Sequence, residues 1–360
     1  MLRVAVWGTG NMGSTAIRSA VAFPGVQLVG VITSSADKDG RDAGAFAGLE
    51  ADTGVTASTD VDAVLARCDA VAYMASGDIR PDDAVADIVR CLCAGKHVVT
   101  PSLYSLYDPR SAPPEWVQRL TEAAEDGGGS LLVSGVDPGW GNDALAIIAA
   151  GLCTRINAIH CQEIFDYSTY DQPEAVRLRC GFGGTMDDTP MMLLPSIPTM
   201  VWGGNIRLIA RGLGLEIDEI TEEVERLPLE ASVDTVMGRF EKGTQGAFRL
   251  KVIGKAKGRE RVIIDHITRI HRSCAPDWPY PDEGVGDHRV IVDGDPRLTI
   301  VSRADVPGGT RADGGNTTAA NRLLGALNWL AEQKPGIYDG LDVPMQSVLP
   351  PEVEAGRWAD

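Results

Sequence analysis

The chain of 360 residues has no run of eighteen apolar residues, so nothing in it reads as a membrane-spanning helix. It is short of positive charge: 33 Lys and Arg stand against 50 Asp and Glu, a formal net charge of −17. Binding phosphates or anionic lipid needs clustered cations, so neither nucleic acid nor a membrane is expected as a partner. Histidine (5) and cysteine (7) are sparse and fall into no metal-ligand spacing, so no metal is expected. Cys91 and Cys93 stand two apart on a predicted helix, point to different faces and read as core thiols. An odd number of scattered cysteines suits reduced thiols, and with a strand opening so near the start no leader is expected before Leu2. The expected setting is cytoplasmic.

What the chain does have is glycine in one informative place. An apolar strand at 3–7 runs directly into Gly8-Thr9-Gly10-Asn11-Met12-Gly13, followed by a helical pattern over 11–23 and a second strand over 26–33. In G-x-G-x-x-G the glycines permit a tight turn, close approach of backbone to a pyrophosphate, and close helix–strand packing. The helix then turns free N–H groups and the positive end of its dipole toward an anion. The motif, strand before and helix after, predicts a dinucleotide site at Gly8, Thr9, Gly10, Asn11, Met12 and Gly13.

The first 140 residues alternate in kind. Strands read at 3–7, 26–33, 55–58, 70–74, 97–100 and 131–134, with helices over 11–23, 61–67, 82–94 and 114–125. Short continuous apolar strands separated by helices predict a parallel sheet covered on both faces. After Pro138-Gly139 the pattern changes to a helix over 142–151 and longer segments with period-2 alternation at 247–255, 262–270, 289–292 and 298–302. The fold class expected is therefore α/β: a Rossmann domain over 1–140, completed by a helix from about 315–335, and an α+β domain over 141–314 with a mainly antiparallel sheet. Residues 336–360 read as a C-terminal tail. Ligands of open parallel sheets bind beyond the strand C-termini, so the second domain is expected to close a cleft over a small-molecule substrate. An exposed face on its sheet makes a homodimer the expected assembly.

The end of the second strand bears on the cofactor. An NAD site usually puts Asp or Glu there for the ribose 2′-OH. This strand ends Ile32-Thr33-Ser34-Ser35, with no acid before Asp37. Ser34 and Ser35, with Lys38 and Arg41 nearby, suit a 2′-phosphate that a carboxylate would repel, so NADP (NADPH) is expected, with NAD the alternative.

Further segments carry a family resemblance: DGRDAGAFAG at 39–48, GKHVVT at 95–100, GVDPG at 135–139, GFG at 181–183 and DGGNTTAA at 313–320. In this order, after the glycine turn, the chain resembles the dihydrodipicolinate reductase-like superfamily. Within it the likeness is to the branch of the 2,4-diaminopentanoate dehydrogenases and native amine dehydrogenases. The resemblance implies hydride transfer to a C=N or C=O bond. It places Ala75, Ser76, Thr100 and Asn316 beside the ribose and nicotinamide, and it implies a glutamate shortly after the strand at 97–100. The segment PSLYSLYD at 101–108 contains none.

Reduction of a carbonyl leaves an alkoxide that a positioned acid must protonate. Tyr104, just past the strand end, is the candidate catalytic residue, ahead of Tyr107 and Asp108. Trp140, Tyr167, Tyr170 and His266 are candidates for the substrate wall. His266 shares a strand face with Val262 and Ile264, and Tyr167 and Tyr170 lie near His160 and Glu163 in a polar stretch. The expected activity is an NAD(P)-dependent oxidoreductase, NADPH preferred, acting on a small carbonyl or imine. The alternatives are an amine dehydrogenase with a relocated acid–base group and a non-catalytic dinucleotide-binding sensor or partner protein.

Overall fold

The computed structural model describes residues 1–344. The chain divides into two compact units, Met1–Gly139 with the segment from Asn316 onward, and Trp140–Gly315.

The first unit contains β1 (Leu2–Trp7), α1 (Asn11–Ala22), β2 (Val26–Ile32), α2 (Ala43–Ala47), β3 (Ala57–Ser58), α3 (Val61–Leu65), β4 (Ala70–Tyr73), α4 (Pro81–Cys93), β5 (His97–Thr100), α5 (Pro114–Gly127) and β6 (Ser130–Val133). The strands form a parallel sheet in the order β3-β2-β1-β4-β5-β6, with one more strand beyond β6. Alternate residues feed two cores, as a sheet covered on both faces demands. Val4, Val6, Ala70 and Ala72 pack toward α1 and the late helix. Ala5, Trp7, Val71 and Tyr73 pack toward α3, α4 and α5. Local signals set the helix ends: the Asp42 and Asp60 carboxylates cap α2 and α3, and Gly128, at φ 83°, ends α5.

The second unit contains α6 (Ala144–Ala150), β7 (Arg155–Asp166), α7 (Pro173–Leu178), α8 (Ile197–Gly212), β8 (Glu219–Pro228), β9 (Val233–Thr235), β10 (Gly238–Phe240), β11 (Gln245–Ala256), β12 (Arg259–Arg269), β13 (Gly286–Asp295) and β14 (Leu298–Ser302). Its main sheet runs β14-β13-β7-β12-β11-β8 and is antiparallel except for the parallel pair β7–β12. One face is packed: Ile159, Cys161, Val262, Ile264, Val290 and Val292 meet α6 and α8 in a single core. The opposite face carries an ion pair with a buried carboxylate, Asp265 accepting from Arg249 Nε and Nη2 at 2.9 and 2.8 Å and from Gln162 at 2.9 Å.

The chain then continues into α9 (Arg311–Leu330), whose Leu323, Leu327 and Leu330 are buried against the first unit's sheet, and β15 (Gly336–Tyr338). This corrects the expectation of a tail from 336. β15 pairs in parallel with β6 and forms the edge of the first sheet. Three residues are too few for alternation to show in sequence, and only the neighbouring strand makes them a strand. Residues 345–360 of that expected tail lie outside the described residues.

Candidate functional site

β1 delivers the chain into a turn that only glycine fits. Gly8 sits at φ +118°, where a side chain would be strained, and a Cβ there would come within 3.1 Å of the Ala75 nitrogen. A Cβ on Gly13 would lie 2.1 Å from the Gly8 carbonyl oxygen. Gly10, by contrast, has nothing within 4 Å of its Cβ position. The turn is thus closed from inside at Gly8 and Gly13 and left open at Gly10, the side from which a pyrophosphate would approach. α1 has Gly10 as N-cap, without a side-chain cap or an acid in its first turn, so its amides suit an anion. Asn11 is exposed there, and Met12 packs on the sheet. The residues fit a dinucleotide.

Two cations, Lys38 and Arg41, stand in the loop after β2. Lys38 Nζ donates to Thr9 Oγ1 at 3.0 Å, tying the loop after β2 to the glycine turn. Lys38 and Arg41 both lie over the Phe46 ring, at 5.9 and 5.2 Å. The Ser35 amide donates to Thr33 Oγ1 at 3.2 Å, while Ser34 and Arg41 are exposed. Of the carboxylates there, Asp39 accepts from Thr59 and Asp42 from Gly44, Thr53 and Gly54, while Asp37 is exposed. Those amide donors hold the Asp42 carboxyl below its usual range.

The ends of β4 and β5 are braced together. Thr100, fully buried, donates through Oγ1 to the Tyr73 carbonyl at 2.7 Å, and Ser102 Oγ donates to the Ala75 carbonyl at 2.6 Å. Thr100 therefore shapes this edge, its hydroxyl already committed. Ala75 is half-buried, Ser76 is exposed and bonded to Asp78, and Asn316 lies half-buried in α9. Tyr104 opens a short helical turn past β5 and packs partly buried on the cluster with Leu103 and Leu106. Tyr107 is buried, and its hydroxyl donates to the Ser134 carbonyl at 2.9 Å, a structural use. Asp108 is also buried, bonded to Ser111 Oγ at 2.8 Å.

The second unit holds a group of polar side chains that no single segment announces. Ser302, His288, Glu163 and His266 pair successively across β14, β13, β7 and β12. Partners directly opposite share a face, and here it is the core face. Each of the four strands carries two apolar residues on that face and then a polar one: Leu298, Ile300, Ser302; Val292, Val290, His288; Ile159, Cys161, Glu163; Val262, Ile264, His266. Glu163 Oε2 meets His266 Nδ1 at 2.7 Å. The Trp202 ring of α8 covers His266 with centroids 4.1 Å apart. Trp140 Nε1 reaches Ser302 Oγ at 3.4 Å, and a Cβ on Gly141 would strike the His288 ring at 2.5 Å.

Aromatic rings adjoin this row. Tyr167 contacts Phe165, Tyr170 and Phe182 with centroids 4.9, 5.2 and 6.0 Å apart. Burial, and then the Glu163 carboxylate, push the Cys180 thiol up to about 12. Burial also raises the Tyr170 phenol, with Glu163 among the charges that add to the shift. The expected wall residues Trp140, Tyr167, Tyr170 and His266 thus belong to one packed region of the second unit. The reading by segments missed His288, Trp202 and Ser302, and treated Glu163 as one polar residue of a stretch. The signal was present: a polar residue ending the inward-facing apolar series of each strand.

Comparison with known proteins agrees with this architecture. Residues 2–78 match the dihydrodipicolinate reductase N-terminal family, and residues 142–355 match the 2,4-diaminopentanoate dehydrogenase C-terminal domain. An amine dehydrogenase of Streptomyces virginiae is 54% identical over 352 residues, 97% of this chain and 98% of that protein. A 2,4-diaminopentanoate dehydrogenase of Acetoanaerobium sticklandii is 24% identical over 269 residues, 73% of this chain and 71% of that one. The solved amine dehydrogenase of Mycobacterium smegmatis has the same fold, with TM-score 0.75 at 21% identity, covering 97% of this chain and 98% of that one. A Rossmann cradle shaped for a nicotinamide dinucleotide, joined to this C-terminal domain, makes the chain an NAD(P)-dependent oxidoreductase, and it belongs to the family of the amine and 2,4-diaminopentanoate dehydrogenases.

Proposed function

We propose that this protein is an NADPH-preferring amine dehydrogenase that interconverts a small amine with the matching carbonyl compound and ammonia through an imine. The observation that carries the reading is a carboxylate, Glu163, set on an imidazole at the end of an otherwise apolar sheet face in a chain 54% identical to an amine dehydrogenase. An ammonium ion loses its hydration on entering such a place and needs a fixed anion there.

When bound, a nicotinamide dinucleotide supplies or accepts the hydride. The chain's own residues do the rest. The amides of the Gly8–Gly13 turn take the pyrophosphate, and Ala75, Ser76 and Asn316 line the ribose and nicotinamide. Lys38 and Arg41 face the 2′ position, where a phosphate gains charge-assisted hydrogen bonds. Trp140, Tyr167 and Tyr170 form the wall for the organic part of the substrate, with His266 behind Glu163.

The direct test follows absorbance at 340 nm with a panel of small aldehydes and ketones. Oxidation of NADPH that requires both carbonyl compound and ammonium, and is faster than with NADH, is the expected result. Turnover with the carbonyl alone, unchanged by ammonium, overturns amine chemistry and favours a second reading, reduction of C=O with Tyr104 as proton donor. That reading rests on Tyr104 standing partly exposed just past β5. We also infer a cytoplasmic homodimer, which light scattering on the purified protein tests. No helix among the described residues is long and apolar enough to cross a membrane.

A further inference from the structure

We propose that Glu163 is the catalytic residue that binds the amine nitrogen and moves its protons, with His266 as its positioning residue, and that the substrate's carbon substituents are apolar. The inference rests on the amine dehydrogenase reading and names the group that serves it.

Three observations carry it. The Glu163 side chain is 24% exposed while that of His266 is 5% exposed, so the carboxylate can be reached and the imidazole stands behind it. The imidazole is held from two sides, by the 2.7 Å contact to Glu163 and by the Trp202 ring. A base so fixed orients the carboxylate by a directional hydrogen bond. Around the pair, Tyr167, Tyr170 and Trp140 pack against the apolar core of the unit. Such a wall suits alkyl or aryl groups.

Glu163 accepts a proton from ammonium, and the nitrogen lone pair forms the C–N bond as the carbonyl oxygen takes the π pair and a proton from nitrogen. Protonated Glu163 then returns its proton to the carbinolamine hydroxyl, the C–O bond breaks, and water leaves as the C=N bond forms. A bound reduced dinucleotide would supply hydride to that carbon, and the amine formed takes one proton from solvent. The sum is carbonyl, ammonium, NADPH and a proton giving alkylammonium, NADP and water.

The test uses the full-length protein and its Glu163→Gln variant, each checked for fold by circular dichroism and for NADPH binding by fluorescence. Calorimetry with NADPH present and ammonium absent measures binding of sec-butylammonium and of neutral 2-butanone. Expected are a loss of at least tenfold in sec-butylammonium affinity with little change for 2-butanone, and a fall of about 10²-fold or more in kcat for amine formation. Formate is expected to rescue part of the activity of Glu163→Ala. For His266→Asn, the expected result is a raised KM for ammonium at unchanged NADPH affinity. Equal sec-butylammonium affinity in wild type and Glu163→Gln overturns the inference, as does full amine-forming activity in that variant. If the wild type binds sec-butylammonium through Glu163 but turns over no amine, the assignment of the nitrogen site stands and the amine dehydrogenase reading fails.

Discussion

Glu163 Oε2 and His266 Nδ1 lie 2.7 Å apart across the parallel strands β7 and β12, where each strand's inward face turns from apolar to polar. The pair lies next to Ile164 and Ile267 in sequence, yet those residues face the opposite side of the sheet. A slip of one residue in either strand would put the carboxylate and the imidazole on different faces.

Gly10 and Gly13 separate cofactor binding from stability. Gly10→Ala adds a methyl group in open space, so the melting temperature should hold while NADPH affinity falls by tenfold or more, about 1.4 kcal/mol. Gly13→Ala forces a Cβ toward the Gly8 carbonyl and should also destabilise the fold by about 1–3 kcal/mol. Thermal melts with fluorescence titration of NADPH give both quantities.

Lys38 should set the cofactor preference. Lys38→Ala removes a charged donor beside the expected 2′-phosphate and should weaken NADPH by about 10- to 100-fold, with NADH changed far less. Equal losses for the two cofactors would assign Lys38 to bracing Thr9 alone.

Tyr104 and Glu163 can be told apart by product. Tyr104→Phe should leave amine formation within about threefold, because hydride transfer to an iminium carbon leaves no alkoxide to protonate, while lowering any alcohol formation by about 10²-fold. Chromatographic analysis of products with and without ammonium decides it.

Asp265 is expected to matter for folding. Its side chain is 2% exposed and takes both Arg249 nitrogens, so Asp265→Asn should cost about 3 kcal/mol by leaving the guanidinium poorly paired. Replacing both partners with apolar residues should recover most of that loss in denaturant unfolding.

Acid should weaken the fold partly through His97 and His160. Burial lowers the proton affinity of both in the folded state below the ordinary value of 6.5. In the window just below 6.5 the unfolded chain binds more protons, so stability falls as pH drops through it and levels off below the folded-state values. His97→Gln should flatten that slope in unfolding midpoints measured from pH 7 to 5.

Much of the first unit was legible because its signals are local. Gly8, Gly10 and Gly13 lie within six residues, Asp42 caps a helix two residues away, and β4 is an apolar run complete in itself. α8 was not legible: Pro198, Gly203 and Gly204 dilute its helical pattern, and packing of Trp202, Ile206 and Ile209 on the sheet makes it a helix. Tyr104 is visible as a candidate because it follows β5 in sequence, whereas the carboxylate that meets an imidazole comes from β7.

By itself the sequence determined that a dinucleotide turn follows β1, that a parallel sheet carries it, and that no acid stands at the end of β2. Those features depend on neighbours within a few residues, where backbone sterics and apolar periodicity are already decided. The tertiary structure alone decided that Ser302, His288, Glu163 and His266, scattered over 140 residues, form one row. Their alignment follows from strand order and register, which the whole core sets by burying one face of six strands together.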